Sequence, residues 1–159
     1  MRTERLPNSE KRQAPVRVWV RVRQSRIAGK GVFAAQDIQK GRRILQYIGE
    51  RISKEEAAKR LEQGNVYLFE LDDRYDIDGK LIKNTARYIN HSCDPNCAIK
   101  TTSRTIWIVA LRDIQAGEEL SYDYGYDSKD YEHHPCTCEA KHCCGYILAR
   151  PYWGLIKKK

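Results

Sequence analysis

Between residues 16 and 23 the chain alternates, with Val16, Val18, Val20 and Val22 set against Arg17, Trp19, Arg21 and Arg23. A period of two predicts a β-strand with one buried face. The stretch Ala28-Gly29-Lys30-Gly31 reads as a turn, and apolar runs of strand length follow at 32–35 and 44–48. Ser53-Lys54-Glu55-Glu56 has capping-box spacing ahead of Ala57-Ala58-Lys59-Arg60-Leu61, with Gly64 as a stop, and predicts a helix. Further strand-like runs occupy 66–71, 105–111 and 119–124. One pattern occurs twice, as Asp37-Ile38-Gln39-Lys40-Gly41 and Asp113-Ile114-Gln115-Ala116-Gly117. Each copy lies between two strand-like runs, so each predicts a strand–turn–strand connection whose Gly relieves a strained backbone. Two copies do not make a solenoid. The expectation is a mostly β fold of many short strands with one or two helices.

Length and charge narrow the class. At 159 residues the chain suits one compact domain, and 41% hydrophobic residues suffice for a core. No apolar run approaches the ~20 residues of a membrane span, and no hydrophobic segment follows Met1-Arg2-Thr3-Glu4-Arg5. The expectation is therefore no membrane span, no cleaved secretory signal and an intracellular setting. The net charge of +8 first suggests nucleic acid or another acidic partner. Its distribution changes that reading. Residues 1–30 carry nine Lys/Arg and two Asp/Glu, and residues 150–159 add four positives, which leaves 31–149 at −3. Within that body residues 118–139 hold seven acids. A basic peptide would be drawn to the body, and any weak DNA contact falls to the basic ends.

The six cysteines are confined to the second half: Cys93, Cys97, Cys136, Cys138, Cys143 and Cys144. Clustered cysteines without a secretory signal point to metal ligands in a reducing compartment. The sequon Asn90-His91-Ser92 means little in that setting. Cys136, Cys138 and Cys143 form C-x-C-x₄-C, three thiolates in one loop, and tetrahedral zinc needs a fourth ligand. Cys93 and Cys97 are the obvious donors, with Cys144, His133, His134 and His142 competing. A closed tetrathiolate is structural, since it leaves no position for water. Residues 87–97 crowd hydrogen-bonding side chains around Pro95, which excludes regular helix and central strand and reads alone as an Asx-rich turn. Along a strand, Tyr122, Tyr124 and Tyr126 share one face, and Tyr47 and Tyr67 add two more tyrosines. Buried hydroxyls need partners, so this set predicts a polar-tipped aromatic channel suited to an alkyl chain ending in an amine.

Together these residues resemble the SET-domain family of S-adenosylmethionine-dependent protein lysine methyltransferases with a cysteine-bearing post-SET segment. The resemblance rests on Gly29-Lys30-Gly31-Val32-Phe33, on Tyr47-Ile48-Gly49-Glu50, on residues 87–97 as N-H-S-C-x-P-N-C, and on residues 117–124 as G-E-E-L-x-Y-D-Y. It implies a mostly β (β+α) fold of several small sheets with a knot-like C-terminal threading and a zinc-bound post-SET loop. The implied division is a flexible basic lead-in at 1–15, a SET domain at 16–127, a post-SET zinc segment at 128–149 and a basic tail at 150–159. Lys30, Gly31, Val32, Arg87, Asn90 and His91 would bind S-adenosylmethionine. Tyr124 would be the active-site tyrosine, with Tyr47, Tyr122 and Tyr126 lining the lysine channel. Cys93, Cys136, Cys138 and Cys143 would hold Zn²⁺, leaving Cys97 and Cys144 as bystander thiols. Family members with Phe at the position of Tyr122 tend to add more methyl groups, so its hydroxyl implies mainly monomethylation.

The chain departs from the family pattern at Lys83-Asn84, where Gly-Asn is common, and in a short insert ahead of the central motif. The implied substrate is a lysine-bearing protein or peptide such as a histone, with no membrane partner. The implied location is cytoplasmic for a bacterial protein, and nuclear for a eukaryotic one or one acting on host histones. The alternative is a catalytically silent, zinc-stabilised module that binds protein or nucleic acid. Transfer to a small molecule or a non-histone protein on the same scaffold is a third reading.

Overall fold

A computed structural model describes residues 18–129 and 131–156. The lead-in at 1–15, the start of the predicted strand at Val16 and Arg17, Asp130, and Lys157 to Lys159 lie outside the described residues. In chain order the strands are β1 (Val20–Gln24), β2 (Lys30–Ala34), β3 (Arg43–Tyr47), β4 (Glu50–Ser53), β5 (Leu68–Glu70), β6 (Tyr75–Asp78), β7 (Asn90–His91), β8 (Cys97–Thr101), β9 (Ile106–Ala110) and β10 (Ser121–Tyr122). One α-helix among the described residues, α1 (Lys54–Glu62), follows β4. Four small sheets result: β1-β2, β3-β9-β8, β4-β6-β5 and the parallel pair β10-β7.

The helix forms as its sequence predicts. The Ser53 hydroxyl accepts from the Glu56 N–H at 3.2 Å, and Gly64 ends the segment at φ +83°. Only half of a capping box is made, because the Glu56 carboxylate accepts from Arg60 at 2.8 Å instead. In β9 the alternation is clean, with Ile106, Ile108 and Ala110 buried against Trp107 and Val109. The run at 119–124 contracts to a two-residue strand, Ser121–Tyr122, with Glu119 bridged singly to Phe33.

The valine alternation near the N-terminus gives a strand but not a buried face. Val18 is 59% and Val22 40% exposed. Among the described residues β1 pairs only with β2, and it is β2 that turns Val32 and Ala34 into the core. Alternation tells which face is apolar, not whether anything covers it. At the other end, the first residues of the expected basic tail form a 3₁₀ turn, Arg150–Leu155, whose Trp153 indole donates to the Leu148 carbonyl at 2.9 Å.

The repeated pentapeptides pair with each other. Ile38 and Ile114 exchange backbone hydrogen bonds of 2.8 and 2.9 Å. Asp37 accepts from the Ala116 N–H and Asp113 from the Lys40 N–H, both at 2.8 Å. Gly41 N–H donates to Ala110 O and Gly117 N–H to Ala34 O, with φ of +81° and +93°. The two turns are thus related by a local twofold, and Ile38 and Ile114 sit fully inside the core with Ile89, Ile106, Ile108 and Leu120.

That clasp brings residues 119–122 beside the central polar stretch. β10 runs parallel to β7 with Ser121 opposite Asn90 and Tyr122 opposite His91. Asn96 ties the two together, donating to Glu119 O at 2.8 Å and accepting from Ser121 N–H at 2.9 Å. The C-terminal motif therefore lies alongside the central one, and the chain beyond it returns to touch the first hairpin, where the Thr137 hydroxyl donates to Ile27 O at 2.8 Å. Among the described residues no helix is long and apolar enough to cross a membrane.

Candidate functional site

Five aromatic rings form a chain from β3 to the segment after β10. Tyr47 packs on Phe69 at 5.1 Å, Phe69 on Tyr122 at 6.0 Å, Tyr122 on Tyr124 at 4.9 Å and Tyr124 on Tyr126 at 5.9 Å between centroids. The three tyrosines at 122–126 do gather, but not through a strand pleat, since pairing ends at Tyr122. Ring contacts and two hydrogen bonds hold the set. Tyr47 Oη donates to Tyr67 O at 3.0 Å and Tyr124 Oη to Ile89 O at 2.9 Å. Burial raises the hydroxyl pKa of Tyr47, Tyr122 and Tyr124 above the ordinary tyrosine value, so all three stay protonated. A cavity of about 270 Å³ lies against these rings, with Val66, Leu68 and Arg87 also on its wall.

Small residues behind the rings permit this packing. A Cβ on Gly79 would lie 2.3 Å from the Tyr47 ring and 2.5 Å from Asn84 Nδ2. Asn84 is fully buried, donating to Gly79 O at 3.0 Å and accepting from Ile48 N–H at 3.3 Å. The unusual Lys83 beside it is exposed, so it leaves this bridge intact.

A second cavity, of about 400 Å³, opens on the hairpin side and is walled by Ala28, Gly29, Lys30, Tyr88 and Asn90. It shares Tyr67, Arg87 and Tyr124 with the first. Lys30 Nζ lies 5.4 Å over the Tyr88 ring and the Arg87 guanidinium 3.9 Å over Tyr67. Arg87 donates through Nη1 to Lys80 O, while its Nε is buried with no partner among the described residues. That leftover donor belongs to a side chain on both walls, a fit for a polar ligand. Asn90 Nδ2 lies within 2.8–3.1 Å of Glu119 Oε1, Ser25 Oγ and Lys30 O, and so sets the wall.

Of the residues expected around a cofactor, Lys30, Arg87 and Asn90 line this cavity. His91 borders a smaller one of about 170 Å³ with Ile27, Cys136 and Thr137. Gly31 and Val32 line neither: Val32 is wholly in the core, and Gly31 stands where a Cβ would meet the Glu119 carboxylate at 2.2 Å. Ala28 and Gly29, the backbone neighbouring Lys30, are on the wall with it.

Sequence reasoning passed over Glu119, Ser25, Gly79 and Phe69. For Glu119 a signal existed. Of two adjacent acids, Glu118 pairs outward with Arg112 at 2.7 Å, while Glu119 turns inward to Ser25 and Asn90. Neighbours on an extended chain point to opposite faces.

The sulfurs of Cys93, Cys136, Cys138 and Cys143 all lie within 4.8 Å of one another. Cys93 Sγ is 3.9 Å from Cys136 Sγ and 3.7 Å from Cys143 Sγ. A tetrahedron with Zn–S bonds of ~2.3 Å has edges of about 3.8 Å, so the donor set fits. Backbone N–H groups of Cys93 and Gly145 donate to the sulfurs of Cys138 and Cys143 at 3.4 and 3.3 Å, contacts that would stabilise metal-bound thiolates. The fourth position, open on spacing alone, falls to Cys93. Cys97 is fully buried in the main core, whereas Cys144 lies at the edge of the cluster, 3.8 Å from Cys93 Sγ and bonded to Tyr146 O at 3.2 Å.

Comparison with known proteins agrees with this geometry. The family model described as "SET domain" matches residues 29–125. The chain is 45% identical over 129 residues to "Histone-lysine N-methyltransferase trr" of Drosophila melanogaster, covering 75% of this chain and 5% of that protein. It is 41% identical over 129 residues to "Histone-lysine N-methyltransferase 2D" of Homo sapiens, covering 75% and 2%. To "Histone-lysine N-methyltransferase, H3 lysine-4 specific" of Saccharomyces cerevisiae it is 40% identical over 135 residues, covering 77% and 12%. The chain thus spans only a small fraction of the length of these relatives. Among solved structures, a "Humanized mutant of the Chaetomium thermophilum Polycomb Repressive Complex 2 bound to the inhibitor GSK343" aligns with a TM-score of 0.61 and 36% identity, over 67% of this chain and 15% of that one.

Proposed function

The chain belongs to the SET-domain family, and on that premise we propose that it transfers a methyl group from S-adenosylmethionine to the ε-amine of a lysine in a protein. One observation carries the reading: two cavities with otherwise different linings share Tyr124, Tyr67 and Arg87. An amine in the aromatic cavity and a methyl donor in the hairpin cavity would meet at Tyr124, which is what in-line transfer needs. S-adenosylmethionine supplies a methyl group on a positively charged sulfur.

The residues account for the chemistry. A lysine with a reference pKa near 10.4 must lose its proton, at a cost of about 4–5 kcal/mol at neutral pH. The walls of Tyr47, Phe69 and Tyr122 favour the neutral amine. Tyr124 is held protonated and is not the base; its hydroxyl bond to Ile89 O anchors the ring between the two cavities, and the anchored ring orients the amine. Tyr47, Tyr122 and Tyr126 line the channel. Lys30, Arg87 and Asn90, with Ala28 and Gly29, hold the methyl donor, and His91 shapes the smaller cavity beside it. The four thiolates would hold a structural Zn²⁺ that fixes residues 136–143, and Cys136 and Thr137 wall that smaller cavity.

The segments divide as 16–127 for the catalytic body and 128–149 for the metal-bound closing loop. Three relatives are named for histone-lysine methylation, one of them for H3 lysine 4. With a mildly acidic body between basic ends, the chain would take a basic histone tail in the nucleus, its ends resting on DNA. The Tyr122 hydroxyl leaves little room beside the amine, so the product is mainly monomethyl-lysine.

The test is radiolabelled methyl transfer to core histones, wild type against Tyr124→Phe, with product multiplicity read by mass spectrometry. Wild type should give mainly monomethyl-lysine, Tyr124→Phe at least a 100-fold lower kcat, and Tyr122→Phe a shift to di- and trimethyl-lysine. A folded, metal-loaded chain that neither binds S-adenosylmethionine nor labels any histone would overturn the reading in favour of a silent binding module.

A further inference from the structure

The tyrosine channel and the cysteine cluster come from different segments, yet one buried imidazole touches both. His91 is 3% exposed and sits on β7 opposite Tyr122 of β10. Its Nδ1 lies 3.1 Å from the backbone N of Tyr124, and its Nε2 lies 3.6 Å from Cys93 Sγ. The ring also stands edge-on to the Tyr124 ring, 5.4 Å between centroids.

These contacts settle the tautomer. A backbone N–H can only donate, so Nδ1 is the acceptor and carries no hydrogen. The hydrogen of the neutral ring is then on Nε2, facing the sulfur. Asp123 Oδ1, 3.7 Å from Nδ1, is beyond hydrogen-bond reach and does not compete. A neutral imidazole has one donor and one acceptor, and both are used within the protein. The side chain has nothing left to offer the methyl donor or the lysine.

We propose that His91 is a positioning residue that ties the cysteine cluster to the methyl-transfer centre, its Nε2–H holding the Cys93 sulfur while Nδ1 holds the backbone of Tyr124. This rests on the functional reading above for the role of Tyr124, but the linkage itself is a matter of two hydrogen bonds. When Cys93 is drawn into a metal site, its sulfur carries more negative charge and grips Nε2–H harder. The ring is then fixed, and so is the backbone that aims Tyr124 between the two cavities. Outer-sphere donors of this kind commonly change metal affinity by 10–100-fold when removed.

Two near-isosteric variants separate the ends. Asn places an acceptor near Nδ1 and nothing near Nε2, whereas Gln reaches the Nε2 position with a donor and leaves Nδ1 empty. Four readouts are needed: competition titration for metal affinity, the sulfur-to-metal charge-transfer band of the Co²⁺-substituted protein, the ¹⁵N–¹H resonance of Tyr124, and steady-state kinetics on a peptide. His91→Asn should weaken the metal at least 10-fold and move the Co²⁺ band while leaving the Tyr124 amide near its wild-type shift. His91→Gln should keep affinity and band, lose the downfield position of the Tyr124 amide, and lower kcat about 10-fold with peptide KM within twofold. In wild type, loading the metal should move the Tyr124 amide; in His91→Leu it should not.

Equal effects of Asn and Gln on all readouts, or a wild-type Tyr124 amide indifferent to metal, would overturn the linkage. A wild-type chain with the expected spectra but no methyl transfer would overturn the functional reading alone.

Discussion

The aromatic channel and the cysteine loop lie next to each other and are held in unlike ways. Every wall of the channel is fastened by the chain itself. Tyr47 and Tyr124 reach backbone carbonyls, Asn84 bridges Gly79 and Ile48, and Tyr47 and Tyr122 belong to the main core. The loop from 131 to 148 has a 3₁₀ turn at Tyr131–His133, one bridge between Pro135 and Tyr146, and a single fully buried aliphatic residue, Leu148. What converges in it is sulfur. A region with so little apolar surface to bury needs another source of stability, and four cysteine sulfurs within 4.8 Å of one another would supply it by holding a metal.

The strongest way to break this contrast is to remove the metal. Structural zinc sites contribute on the order of 10 kcal/mol to small folds. Under a strong chelator, amides at 131–148 should lose nearly all hydrogen-exchange protection while those of β3, β8 and β9 keep theirs. S-adenosylmethionine affinity should fall at least 10-fold, because Cys136 and Thr137 wall the smaller cavity that shares Ala28, Asn90 and Tyr124 with the methyl-donor cavity. Equal loss of protection in the body would mean that the loop is not an independent unit.

Gly79→Ala attacks the other side. The added methyl would press on the Tyr47 ring and the Asn84 amide, and urea denaturation should show a loss of about 2–3 kcal/mol. Metal affinity should stay unchanged if the two regions are supported separately.

High pH sharpens the comparison further. Tyr47, Tyr122 and Tyr124 are raised by burial above the value of about 10 they have when unfolded. The unfolded chain therefore loses protons first, so the stability these groups carry is full below pH ~10 and drains away as pH rises. Urea midpoints should fall between pH 9.5 and 11, and Tyr122→Phe should flatten that decline.

The smallest effects lie in the paired turns, outside both regions. Asp37→Ala and Asp113→Ala each remove one equivalent hydrogen bond to a turn N–H. Each should cost about 1 kcal/mol, and their measured costs should match within error if the local twofold is energetic as well as geometric.

Much of this was legible in the chain, for local reasons. The cap at Ser53, the glycine turns and the alternation of β9 depend on neighbours a few residues apart. β6 escaped notice because two of its four residues are acids, Asp76 and Asp78. They lie in a sheet only because Lys54 and Arg60 neutralise them at 2.7 and 2.6 Å. β8 was hidden by its start at Cys97, the last residue of a polar stretch. Val18 and Val22 misled in the opposite sense, since an apolar face is a local property and its covering is not. In the site, Tyr47, Tyr122, Tyr124 and Tyr126 could be named from their motifs. Glu119 and Gly79 matter through what stands opposite them, 29 and 32 residues away in Asn90 and Tyr47.

By itself, then, the sequence determined the inventory: short strands, one capped helix, three thiolates in a loop and a set of tyrosines suited to an alkyl amine. Cys93 is the fourth ligand that the family resemblance implies, and the tertiary structure brings it to the other three. Only the tertiary structure decided that Tyr124 lies between two cavities and that His91 touches both regions. The reason is distance along the chain. Hydrogen bonding and alternation act between near neighbours and leave a local trace, whereas the pairing of β7 with β10 closes a loop of some thirty residues. What such a closure brings together is set by the whole core.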